Sequence, residues 1–265
     1  FEKAKLEYEQ SRRIRRQVLG DDHPQCHATL VDLIVVYEIL RQPERIQADL
    51  RELIAAADKQ ATENYAAAAD DLSALATSLA QNHRPAESLV ILLGAQQILE
   101  SRAPADSRVG ALLSQIGAAH DALRNLPEAE NAYQRALRFV EEQRGPNHLD
   151  VAVILHELGG FYHSTGQTQR ATPLVRRAVQ IREAHLPPDH LQLAESLNHL
   201  AVVLSATRES KESIALLERV LKIREAGLPE NHPDLAQSLG NLAMAYANQR
   251  TEGDRTRAIT LQRRA

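Results

Sequence analysis

An all-α, right-handed solenoid of stacked antiparallel helix pairs is the fold predicted for this 265-residue chain. The first observation behind it is a repeat: residues 190–231 recur along the sequence with a step of 42, with copies in register from His148 and from His232. The second is a helical spacing of apolar residues inside every copy. The third is the punctuation between copies, where Gly or Pro stops one helix and His-Pro or its variants start the next.

The elements follow in order once His190 is set as position 1. Residues 1–22 match the second helix (B) of a preceding unit, with Ala4, Tyr8 and Ile14 at positions 24, 28 and 34. Repeats then cover 23–64, 65–105, 106–147, 148–189 and 190–231, with 232–265 a truncated last copy, all in a single solenoid of residues 1–265. Helix A of each repeat carries Leu30, Leu72, Leu113, Leu155, Leu197 and Leu239 at position 8. Position 11 is Leu33, Leu75, Ile116, Leu158, Leu200 and Leu242. With a larger residue at position 15 (Tyr37, Leu79, His120, Tyr162, Leu204, Tyr246), this marks one face of an amphipathic helix of about four turns. Position 12 is small (Ala76, Gly117, Gly159, Ala201, Ala243; Ile34 is the exception) and admits a close second helix. A break near position 19, at Gly166 and at residues 82–85, supplies the turn.

Helix B carries Ala129 and Ala171 at position 24, Tyr133, Val175 and Leu217 at 28, and Ala136, Ala178 and Val220 at 31. It ends in LGDDHP (19–24), LPPDH (186–190) or LPENHP (228–233), where Pro in the first turn of the next helix loses no hydrogen bond. Thirteen helices are implied. The B helix at 85–100 fits the pattern least well, and the last B helix regains register only after about three extra residues near 251–254. Both ends fall inside helical patterns, the expectation for a piece of a longer protein.

Leu followed by a small residue, Tyr three further on, Gly, then Ala opening a second helix resembles the tetratricopeptide repeat (TPR). The 42-residue period, with a lengthened helix B ending in Ile-Arg-Glu, is similar to the repeats of kinesin light chain. Those features stand here as Ile14-Arg15 with LGDDHP, as 181–183 with LPPDH and as 223–225 with LPENHP, beside Ser196-Leu197-Asn198-His199-Leu200-Ala201. The resemblance implies a TPR superhelix whose A helices line a concave groove, and a non-enzymatic scaffold or adaptor that binds a partner protein. The paired asparagines that kinesin light chains tend to carry are reduced to Asn198 and Asn241, in separate repeats, so their cargo specificity does not transfer.

Composition narrows the function. A net charge of −4 argues against nucleic acid, whose phosphates favour a basic stripe. One cysteine, Cys26 at core position 4, excludes an intrachain disulfide and a Cys-based zinc site. Residues 1–10 have no apolar signal-like core, and no apolar run approaches the roughly 18 residues of a membrane span. The expected location is cytoplasmic. Arginine outnumbers lysine and alanine is abundant, which suggests a GC-rich bacterial gene.

Inward positions 6, 9, 13, 16 and 17 of the helix A copies predict the lining of a groove: Ser114, Ala118, Asp121, His156, Gly160, His163, Glu195, Asn198, Val202, Ser205, Gln237, Met244 and Asn248. These mainly small or uncharged side chains suit an extended or helical protein segment. The alternative is that they are solvated and the contact surface lies elsewhere.

Chemistry-bearing patterns are few. His156-Glu157 opens like a metalloprotease helix, but the second histidine is replaced by Gly160. His156 and His163 share a face about 10 Å apart along the axis, too far for one ion. His23, His148, His190 and His232 recur at the junctions and read as structural contacts at the start of helix A. No phosphate loop is present, and no catalytic residue, cofactor or metal is expected. The basic run at 11–16 reads as a solvated helix face, with an acidic partner or an anionic membrane surface as the other reading. Two further functions stay open: a sensor or autoinhibitory region of a larger regulatory protein, and a tether to a tubulin-like cytoskeleton. The sequence leaves the oligomeric state undetermined, since the apolar ends of an uncapped solenoid tend to find partners.

Overall fold

The computed structural model describes residues 1–19, 29, 33, 36–37, 40, 43–207, 210–249 and 252–264. The junction with His23 and Cys26, and Leu30 and Ile34, lie outside them. Eleven α-helices are seen among the described residues: α1 (Glu2–Leu19), α2 (Pro43–Gln81), α3 (Pro85–Arg102), α4 (Arg108–Ala122), α5 (Leu126–Arg144), α6 (Leu149–Ser164), α7 (Thr168–His185), α8 (Leu191–Ser205), α9 (Ser210–Gly227), α10 (Pro233–Asn248) and α11 (Glu252–Arg264). They pack as sequential antiparallel pairs, an all-α TPR fold, in two compact units, Phe1–Ala132 and Tyr133–Ala265. None is long and apolar enough to cross a membrane.

In the second unit, α6, α8 and α10 are A helices and α7, α9 and α11 are B helices. Each packs on its neighbour in the chain, and the A helices also touch one another, α6 on α8 and α8 on α10. The core is the predicted stripe: Leu155, Leu197 and Leu239 at position 8, with Leu158, Leu200 and Leu242 at position 11, are all buried. Position 12 sets how close the helices come. A Cβ on Gly159 would lie 2.4 Å from Cγ2 of Val175 on α7, closer than any two such atoms can stand.

Turns and starts are equally regular. Position 19 takes the left-handed conformation at His83 (φ 59°), Arg124 (φ 61°) and Gly166 (φ 77°). The amide after it donates to the carbonyl five residues back, Arg84 to Leu79, Asn125 to His120 and Gln167 to Tyr162, closing helix A with a Schellman-type cap. The junction histidines are N-caps: Nδ1 of His148, His190 and His232 accepts the amides of Asp150, Gln192 and Asp234 at 3.1, 3.1 and 3.2 Å.

Two polar devices join one repeat to the next. Arg182 donates to Ser196 Oγ and to the Gln192 carbonyl, Arg224 to Ser238 Oγ (2.7 Å) and the Asp234 carbonyl (2.9 Å), and Arg15 to Thr29 Oγ1 (2.6 Å). Each links position 35 of helix B to position 7 of the following helix A. Where position 35 is Val140, position 7 is Ile154, and both are buried. The second device ties the position-15 tyrosine to position 29: Tyr37 donates to Glu9 (2.9 Å), Tyr246 to Glu218, and Gln134 donates to Tyr162 (3.2 Å).

The first unit departs from the repeat pattern in one place. A junction is expected at residue 65, yet α2 runs unbroken for 39 residues through it. After Pro43 the segment holds neither Gly nor Pro, and its alanine-rich middle favours helix, so nothing local stops it. The B helix expected to fit poorly, α3, buries Ile91, Leu92, Ala95, Ile98 and Leu99 together with Gly94, whose missing Cβ leaves space for Ile54 of α2.

Candidate protein-binding groove

A cavity of about 690 Å³ opens across the A helices of the second unit. Of the predicted lining, His156 and Gly160 enter from α6, Glu195, Asn198 and Val202 from α8, and Gln237 from α10. These six are brought together because successive A helices lie side by side, so positions 6, 9 and 13 repeat across the groove. Leu191, Gln192, His199, Arg224 and Asp234 complete the wall.

Two side-chain rungs join successive A helices here. Nδ1 of His156 and Nδ1 of His199 are 3.3 Å apart, with ring centroids at 4.4 Å and planes inclined by 66°. One repeat along, between α8 and α10, Asn241 Nδ2 donates to Asn198 Oδ1 at 3.0 Å. Both rungs join position 9 of one A helix to position 10 of the next. Burial, helped by nearby Arg182, pulls His156 down from 6.5 to about 4. Burial also pulls His199 down to about 4, with His156 and His163 adding to it and Glu195 opposing. Both imidazoles are therefore neutral near pH 7.

Three charged side chains, Glu195, Arg224 and Asp234, line the cavity. Arg224 is almost fully buried and is held by Asp234, Gln237 and Ser238, while Glu195 and Asp234 are about half exposed. Arg182 lies behind the groove with Glu195 at 3.8 Å.

The remaining predicted residues are elsewhere. Ala118 lines a separate cavity of about 500 Å³ in the first unit with Ala76, Ala80 and Leu92. Ser114 is buried in the core of that unit, and Asp121 is half-buried with Arg124 at 4.0 Å. His163 is half-buried, its Nδ1 enclosed without a hydrogen-bond partner. Ser205 is exposed and donates to the Val202 carbonyl at 2.7 Å; Met244 and Asn248 are exposed. The expected basic face at 11–16 is largely engaged: Arg12 meets Asp49 and Glu52, Arg15 meets Thr29, and Arg16 lies 3.6 Å from Glu52.

Sequence reasoning missed His199 and Arg224. Position 10 falls outside a lining counted on one helix, because its side chain faces the neighbouring A helix. Arg224 belongs to helix B and reaches over. The signal for it was present, since arginine at position 35 recurs with a hydroxyl at position 7 of the next repeat.

Stacked antiparallel pairs with a groove across their first helices define a helical-repeat scaffold. The tetratricopeptide repeat model matches residues 108–184, 150–226 and 192–265, and a second model of that description matches residues 1–25. The chain belongs to the tetratricopeptide repeat family, whose domains generally serve protein–protein interaction and are typically non-catalytic. No curated protein matches it. Among solved structures it is similar to the putative kinesin light chain TPR-like repeats of Podosopora anserina, at 24% identity over 74% of this chain and 92% of that one, TM-score 0.63. It is also similar to BtubC (BKLC) from P. vanneervenii, at 20% identity over 83% and 88%, TM-score 0.71. At these identities the likeness is one of fold.

Proposed function

We propose that the chain is a non-enzymatic scaffold or adaptor, and that the groove across α6, α8 and α10 holds a segment of a partner protein. The observation that carries this is the convergence of six predicted lining residues, from three consecutive A helices, on one open cavity. Its mixed character suits a peptide or helical segment: Val202 and Leu191 offer apolar contact, and Asn198, Gln192, Gln237 and the two imidazoles offer neutral hydrogen bonds. The half-exposed carboxylates of Glu195 and Asp234 set orientation and rate of encounter more than affinity.

The test is capture from native cell extract with the parent chain and with a variant carrying His156→Ala and Asn198→Ala, matched for fold by circular dichroism. A protein held by the parent and lost by the variant is the expected result. Equal capture of that protein by both removes the groove reading and turns attention to the B-helix face.

A further inference from the structure

We propose that His156 and His199 form a binding site for one divalent transition-metal ion of the Zn²⁺ or Cu²⁺ type, clamped between α6 and α8. The two Nδ1 atoms stand 3.3 Å apart. Two nitrogens bound to one tetrahedral zinc, each at about 2.0–2.1 Å, lie roughly 3.3–3.4 Å from one another. The rings thus already hold the separation of two ligands on one ion. They come from helices of consecutive repeats rather than from loops, so their backbones are fixed.

Without metal the contact requires one Nδ1–H to donate to the other Nδ1. On binding, that proton leaves Nδ1 and the same ring takes one at Nε2, so each imidazole stays neutral and both Nδ1 lone pairs face the ion. Ligation needs unprotonated rings, so the site should bind more weakly as the pH is lowered. Among the described residues no third His, Cys, Asp or Glu joins the pair. The remaining coordination positions therefore fall to water from the adjoining cavity, where Glu195 and Asn198 stand to bond it. Imidazole ligation selects zinc, copper or nickel over magnesium and calcium. Arg182 beside His156 works against a cation, and Glu195 and Glu157 partly offset its charge, which makes the site a weak one.

The experiment is titration of the chain with Cu²⁺, and separately Zn²⁺, in excess Mg²⁺. The expected outcome is one saturable site whose Cu²⁺ electron paramagnetic resonance shows two imidazole nitrogens. His156→Gln and His199→Gln should each weaken it by more than about tenfold, the lower end of what even loss of an outer-shell partner costs, while His120→Gln leaves it unchanged. Zn²⁺ should raise the melting temperature of the parent and not of His199→Gln. His199→Asn serves as a second variant if the first fails to fold. A two-nitrogen site that persists in the position-199 variants, or the absence of any saturable site below about 1 mM, overturns the proposal.

Discussion

Single atoms decide the packing at Gly159, where a methyl group would collide with the buried, β-branched Val175. Gly159→Ala should therefore destabilise the chain by about 1–3 kcal/mol, the usual penalty of overpacking, although alanine is the better helix former; urea denaturation measures it. Small residues at position 12 were legible in the sequence for this reason, as were the leucines three apart. The pairing of His156 with His199 was not, because a period counted along one helix carries no information about the helix beside it. That pair makes a second prediction. Its folded-state values lie near 4, below the ordinary 6.5, so between those limits the unfolded chain binds more protons and stability is lost as the pH is lowered. The contribution is complete above about 6.5 and fades toward 4, on the order of 3 kcal/mol per ring at most. Denaturation at pH 7 and pH 5, with a chelator present, should show a smaller loss in a variant with asparagine at both positions than in the parent.

Elements are joined by devices that recur with the repeat. The chain contains its own control for the Arg182–Ser196 clasp, since Val140 and Ile154 occupy the equivalent places at the preceding junction. Arg182→Val alone leaves Ser196 and the Gln192 carbonyl without their donor and should cost roughly 1–3 kcal/mol. Adding Ser196→Ile should recover much of that loss, and a double-mutant cycle reads the coupling. Helix ends obey the same logic. Position 19 is left-handed at Arg124, where only glycine is at ease, so Arg124→Gly should stabilise by up to about 1 kcal/mol in thermal melts. The junctions were legible where Gly, Pro and His mark them, and the one at residue 65 was misjudged because the repeat register outlived its punctuation. Alanine-rich sequence with no breaker simply continued the helix through α2.

On the scale of the whole molecule, repetition explains why fold was far more legible than site. Each repeat shows the same apolar stripe to its neighbours, so every copy restates the fold. The groove is built from what differs between copies, and a difference appears once. Six predicted lining residues meet in the second unit because three unbroken repeats place equivalent positions side by side, whereas Ser114 and Ala118 fall in the first unit, where the long α2 changes the pattern. On the proposed reading, a partner segment lies against α8 in that groove. Photo-cross-linking in native extract reads that contact, with benzoylphenylalanine placed at Val202 in the groove or at exposed Glu225 on α9. The expected result is a partner cross-linked from position 202 and absent from position 225; the same partner captured from position 225 alone would rule the groove out.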